Sequence, residues 1–311
     1  MTHPVVSRPA GPAKRPRMRA GRLPGRIVAA LALTIGLQGA SRAQDEVPFI
    51  TTPDPVTLAM LQLADVRSND FVVDLGSGDG RIVITAASRF GARGLGVEID
   101  PSLVARSRDN ARAAGVADRV EFRVQDLFQT DLSVAQVVTL YLLPEVNLQL
   151  RPRLLAMAPG TRIVSHDWDM GDWQPDRQRT LDVPEKAIGR DKRSTVYLWL
   201  VPAQVQGLWC TAGGSLAVTQ RFQTFSATLS AEVDGERDRD RDRDQGGDVA
   251  APLLVFDGRV TADRLHAGSA AAAVPISWRV VGDALQLEQA PNVARRFVGR
   301  RFTRTGAPSC P

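Results

Sequence analysis

The nine residues Val72-Val73-Asp74-Leu75-Gly76-Ser77-Gly78-Asp79-Gly80 constrain the fold more than any other stretch of the chain. A β-branched run ends in an acid, and three glycines follow at alternate positions. Glycine reaches backbone conformations closed to other residues and lets a ligand approach the main chain. Arg81 to Phe90 then reads as a helix. Strand, glycine turn and helix in succession open a parallel sheet covered by helices.

The alternation continues downstream. Further strands are expected at Gly94–Ile99, Val120–Val124, Gln136–Leu143 and Arg162–His166, with closing strands near Leu181–Val183 and Thr195–Leu200. Pro101 opens a helix in its first turn, where its missing N–H costs nothing, and Gly115 closes it. A helix from about Glu145 to Ala158 precedes strand five, and Pro55–Val66 reads as a helix capping the sheet. The prediction is an α/β sheet of seven strands within residues 44–202.

After Pro202 the apolar residues recur with period two, as in Ser215–Phe222, Phe225–Val233, Ile276–Val281 and Arg296–Phe302. Residues 203–311 therefore read as a small antiparallel β-domain of six to eight strands, a barrel or a sandwich. The run Glu236–Asp244, alternating Arg and Asp, reads as a disordered, solvated loop within residues 234–248.

Charge is unevenly placed. Residues 1–43 hold eight basic residues and no acid; against a whole-chain net of +5, residues 44–311 carry −3. The folded part thus gives no electrostatic argument for nucleic acid. The basic stretch precedes the apolar run Ile27–Leu37 and the small-x-small site Ser41-Arg42-Ala43, the pattern of a secretory signal peptide spanning residues 1–43. The run falls short of the about 20 apolar residues a spanning helix needs. Export to the periplasm or medium is expected, with a membrane anchor if the segment stays uncleaved and no span once it is cut. Cys210 and Cys310 could then pair or stand as isolated thiols, and they lack metal-ligand spacing.

The chemistry centres on the glycine turn. Position 81 is Arg rather than the third Gly of a dinucleotide fingerprint, and Asp74 would oppose a pyrophosphate. An acid there suits S-adenosylmethionine (SAM), whose methionine end carries an ammonium, while the helix start suits its carboxylate. Glu98 ends strand two, where a carboxylate can accept both ribose hydroxyls, with Ile99 beside it. Asp126, followed by Leu127, ends strand three, where an acid meets an adenine amino group. All three acids fall at carboxyl ends of consecutive strands, the ligand edge of open α/β sheets.

With these residues in place, 47–202 resembles the class I SAM-dependent methyltransferases, with their Rossmann-like sheet. Val47–Pro53 and the turn from Asp74 into Arg81-Ile82-Val83-Ile84 are similar to the small lysine methyltransferases of the ATP synthase c-subunit type. The resemblance implies that Thr51, Thr52 and Pro53 close over the cofactor beside Gly76, Ser77, Gly78, Asp79 and Gly80. It also implies a protein amine as acceptor, with a small molecule as the other option. It covers about half the chain and has no counterpart for the β-domain.

Methyl transfer is an in-line displacement in which the protein orients the nucleophile and excludes water. In place of the Asn/Asp-Pro-Pro-Tyr of many amino methyltransferases stands Tyr141-Leu142-Leu143-Pro144, a departure that counts against an adenine substrate. Tyr141 and Glu145 are the polar groups expected near the methyl, although a strand aromatic packed under a helix would look the same. His166, with Asp167, Trp168, Asp169, Asp172 and Trp173 after it, is expected at the substrate edge as a base poised near neutral pH. Export sits awkwardly with a cofactor made in the cytosol. The alternative function is therefore an exported binding module that keeps the fold without catalysis, its β-domain engaging a partner.

Overall fold

The computed structural model describes residues 50–187, 191–231, 251–268 and 275–310. The expected signal peptide at 1–43 and the Arg-Asp run at 234–248 lie outside them. The glycine turn follows a central strand, β1 (Phe71–Leu75). The other strands of its sheet are β2 (Arg93–Glu98), β3 (Val120–Val124), β4 (Val137–Leu140), β5 (Arg162–His166), β6 (Arg177–Asp182) and β7 (Arg193–Leu200). Their order is β3-β2-β1-β4-β5-β7-β6. The first five run parallel, β7 is antiparallel to β5, and β6 is antiparallel to β7.

Both faces of the sheet are covered, which explains why β1 reads as an unbroken apolar run. Alternation sends Val72 towards helices α1 (Asp54–Leu63) and α2 (Arg81–Phe90), where it packs with Val56, Met60, Ile82, Ala86 and Val164. Val73 and Leu75 face the other way, with Leu140, Ile163, Trp173 and Trp199 and with Leu150 and Leu154 of α4 (Pro144–Leu155). Asp74, Thr139 and His166 share the register of Val72, Val137 and Val164. Their side chains therefore emerge on the α1 face. Helix α3 (Pro101–Ala113) begins with Pro101 in its first turn, and the Asp100 carboxylate accepts the Ser102 N–H.

One close approach ties this packing to the turn. A Cβ on Gly96 of β2 would stand 2.6 Å from the Phe122 ring and 2.7 Å from the Ser77 hydroxyl. Gly96→Ala is therefore expected to destabilise the chain by about 1–3 kcal/mol through overpacking and to weaken SAM binding by displacing Ser77. Urea unfolding with a SAM titration checks both, and an unchanged midpoint would contradict the packing account.

The second sheet closes into a barrel. Its strands are β8 (Gly207–Thr211), β9 (Gly214–Arg221), β10 (Thr224–Ala231), β11 (Ala251–Thr261), β12 (Arg264–Ala267), β13 (Ile276–Val281), β14 (Ala284–Gln289) and β15 (Arg301–Thr305). The closed order is β10-β11-β12-β13-β14-β15-β8-β9, which makes the domain a barrel rather than a sandwich. Trp209, Leu216, Phe225, Leu229, Leu265, Trp278, Leu287 and Phe302 are buried together as its core. At eight strands the interior is filled by side chains. Two short strands, β8 and β12, were not anticipated. The expected strand Arg296–Phe302 is divided instead: a 3-10 turn spans Asn292–Phe297, Gly299 adopts φ +82°, and pairing resumes at Arg301. Cys210 of β8 is disulfide-bonded to Cys310, with Cα atoms 5.6 Å apart, which settles the pairing.

The barrel is fastened to the segment between β5 and β6. Arg221 pairs with Asp172 at 2.7 Å, Arg259 with Asp176 at 2.9 Å, and Gln223 donates to the Gln174 carbonyl. Among the described residues, no helix is long and apolar enough to cross a membrane.

Candidate active site

The turn leaves β1 at the carboxyl edge of the sheet. Gly76, Gly78 and Gly80 take φ of +78°, +53° and +82°, the left-handed region that favours glycine. The N–H groups of Gly76 and Ser77 both donate to the Val97 carbonyl at 2.9 Å, and Gly80 N–H donates to the Ser77 carbonyl at 2.8 Å. The Ser77 hydroxyl is buried in this turn without a hydrogen-bond partner among the described residues.

Asp74 is almost fully buried, and the Thr139 hydroxyl donates to its carboxylate at 2.6 Å. Burial pushes its carboxyl up to about 7; Glu98 and Asp79 add to the rise, and the Thr139 hydrogen bond opposes it. Removed from water beside other acids, this carboxyl favours a bound cation.

Glu98 stands half-buried at the end of β2. One carboxylate oxygen accepts the Gly78 N–H at 3.0 Å; the other accepts Ile99 N–H at 2.7 Å and Asp100 N–H at 3.2 Å. It thereby joins the turns after β1 and β2. Ile99 itself is exposed. The Gln125 N–H donates to the Glu98 carbonyl at 2.9 Å, drawing the end of β3 alongside. Asp126 caps the 3-10 turn Leu127–Gln129 by accepting the Phe128 N–H at 2.8 Å, and Leu127 packs on the sheet core. The three expected acids do line consecutive strand ends.

The segment Thr51-Thr52-Pro53 lies against this turn through Arg81, which the sequence reading noted in the turn but gave no role in the site. Arg81 grips the Asp79 carboxylate at 3.0 and 2.7 Å and donates to the Thr52 carbonyl at 2.8 Å. A cation in the first turn of a helix opposes the helix dipole, and that misfit was the available signal that Arg81 serves another purpose. Thr51 is exposed, Thr52 is buried, and Pro53 precedes α1. A shallow cleft separates Thr51, Pro53, Pro55 and Arg81 from Glu185 and Ala187.

Thr52 also reaches the far side of the site, its hydroxyl 3.4 Å from His166 Nδ1. Tyr141 stacks on the His166 ring with centroids 4.0 Å apart. His166 differs from the near-neutral base expected at the substrate edge. It has no solvent exposure, its Nε2 lies 2.9 Å from the Ser194 hydroxyl, and burial drives the imidazole down to about 4. Tyr141 is half-buried, and burial, with the Asp167 charge, raises its phenol above the usual value. Glu145 is exposed in the first turn of α4 and is joined to neither ring among the described residues. Asp167 adopts φ +62°; its carboxylate accepts the Thr195 N–H at 3.0 Å and pairs with Lys186 at 2.8 Å. Nothing in the sequence pattern marked Thr139, Lys186 or Ser194 as site residues. Among the described residues, no three or more His, Cys, Asp or Glu side chains cluster so as to hold a metal ion.

Residues 74–177 match the model of the ANTKMT methyltransferase domain. A protein-lysine N-methyltransferase of Saccharolobus islandicus is 38% identical over 157 residues, which is 50% of this chain and 94% of that protein. The adenine nucleotide translocase lysine N-methyltransferase of Mus musculus is 41% identical over 106 residues, 33% of this chain and 46% of the relative. The chain thus spans about half of that mouse protein. Among solved structures, an RNA methyltransferase from Salinibacter ruber in complex with S-adenosyl-L-homocysteine shares 56% identity, covering 50% of this chain and 96% of its own, with a TM-score of 0.45. The fold, the turn and the near-complete match to the Saccharolobus protein agree: this chain belongs to the SAM-dependent methyltransferases of the ANTKMT-domain family.

Proposed function

We propose that the chain transfers a methyl group from SAM to a lysine side chain of a protein. The observation that carries this reading is the 38% identity spread over 94% of a protein-lysine methyltransferase. The site chemistry fits both substrates. Asp74 receives the cofactor's ammonium, the glycine-rich turn of Gly76–Gly80 with the unpartnered Ser77 hydroxyl takes its methionine end, Glu98 takes the ribose, and Asp126 with Ile99 and Leu127 takes the adenine. Thr51–Pro53, held by Arg81, covers it.

SAM supplies an electrophilic methyl on a sulfonium. An acceptor amine that had given its ammonium proton to solvent would take that methyl on nitrogen, the sulfonium's C–S bond breaking as the C–N bond forms and S-adenosylhomocysteine leaving. Tyr141, stacked on His166, walls the acceptor's approach and keeps water out. With an imidazole that stays neutral down to about 4, His166 positions Tyr141 and Thr52 and is a poor proton acceptor at neutral pH. A depressed folded value adds stability above the ordinary histidine range, and that stability is lost as pH falls towards 4. Acid should therefore loosen the Tyr141 wall before the barrel melts, and intrinsic fluorescence with barrel circular dichroism would show both events.

Tandem mass spectrometry of lysine-bearing proteins incubated with the chain and SAM tests the reading. Methyl additions confined to lysine are expected; transfer to RNA with none to protein would overturn it. We also propose export by the segment 1–43, a reading that the Cys210–Cys310 disulfide supports. Sequencing the mature amino terminus from cells tests it, and a terminus at Met1 in a cytosolic fraction would refute it.

A further inference from the structure

We propose that the Asp167 carboxylate is the seat of the acceptor's amine, and that Lys186 of the chain itself occupies that seat in the structure. The inference rests on the lysine reading above and names the group that recognises the acceptor. Lys186 lies in the connection between β6 and β7, and its Nζ stands 2.8 Å from Asp167 Oδ2. It also donates to the Arg193 carbonyl. The two side chains are 12% and 18% exposed, so this ion pair is largely withdrawn from water. Such a pair is held by geometry rather than by a large net gain in stability.

That geometry is built on the Asp167 side. The Asp167 N–H donates to the Thr195 carbonyl at 2.7 Å, and its Oδ1 accepts the Thr195 N–H at 3.0 Å. The backbone bonds to β7 leave Oδ2 as the free oxygen, and it points at Lys186 and lies 3.4 Å from His166 Nε2. His166 stacks on Tyr141 and approaches the Thr52 hydroxyl, whose carbonyl holds Arg81 of the cofactor turn. A primary ammonium, the functional group of the proposed acceptor, therefore already sits one residue from the ring pair that walls the site. Glu185 and Ala187, flanking Lys186, line the cleft opposite Thr51 and Pro53. The arriving ammonium would replace another of equal charge, leaving the site's net charge unchanged while Lys186 turns to solvent. A competitor attached to the chain lowers apparent affinity for whatever it displaces.

The test measures equilibrium binding of a lysine-bearing peptide, with n-butylammonium chloride as a minimal probe, to the full chain saturated with S-adenosylhomocysteine. Lys186→Met is expected to tighten both by several-fold and to lower KM for the peptide, while Lys186→Arg, which keeps the pair, loosens them. Asp167→Asn is expected to weaken both about tenfold or more, the scale of one charge-assisted hydrogen bond, with SAM affinity unchanged. Lys186→Met that weakens amine binding, or Asp167→Asn that leaves it untouched, would overturn the proposal. Because the binding arm needs no turnover, it separates this inference from the lysine reading. A wild-type chain that methylates lysine with Asp167→Asn unaffected sinks the first alone; amine binding without lysine methylation sinks the second alone.

Discussion

Asp74→Asn is expected to lower SAM affinity by about ten- to a hundredfold at pH 8 without lowering the melting temperature. The binding loss follows from removing the charge on one hydrogen bond to an ammonium, worth about 1.5–3 kcal/mol. The retained stability follows from the carboxyl's burial. Its folded value, about 7, lies above the ordinary carboxylate value. A raised folded value contributes stability that is complete below the unfolded value near 4 and is lost as pH rises to about 7. Above that point the wild type carries a buried charge, whereas asparagine does not and can still accept the Thr139 hydroxyl. SAM binding near pH 6.5 is likewise expected to release a proton from Asp74, so affinity rises with pH. Calorimetry in two buffers of different ionisation enthalpy reads that proton directly. Binding without proton release, or equal affinity in the asparagine variant, would remove Asp74 from the cofactor's ammonium.

Replacing Cys210 and Cys310 together with serine is expected to cost about 4 kcal/mol, because the bond joins β8 to a cysteine 100 residues away and closing so long a loop strongly restricts the unfolded chain. Neither cysteine belongs to the sheet edge, so SAM affinity should change little. Guanidinium unfolding of the oxidised chain, the reduced chain and the double variant measures the cost. Identical midpoints would show that the barrel core around Trp209, Trp278 and Phe302 needs no covalent closure.

Much of the sheet was legible because its signals are local. The strand from Phe71 to Leu75, the glycine turn and the helix to Phe90 each follow from consecutive residues. Asp74, Glu98 and Asp126 could be placed because parallel strands expose their carboxyl ends on one edge. The barrel was harder to read. Short strands such as Arg264–Ala267 carry too few residues to show a period, and closure is a property of pairing between distant strands. The contacts around Thr52 and Asp167 were least legible. Arg81 gained its place through Thr52, 29 positions away, and Lys186 through Asp167; neither contact leaves a spacing that a linear pattern could reveal. His166 was read as a base by residue type, but its burial depends on Thr52, Ser194 and Tyr141, which come from three other segments.

Everything proposed for this chain depends on the glycine turn binding SAM. Calorimetric titration of SAM into the purified full chain, repeated with Asp74→Ala, tests it most directly. Saturable one-site binding that the variant weakens at least tenfold, about 1.4 kcal/mol, is the predicted result. No heat of binding at millimolar SAM, or equal binding by the variant, would contradict it.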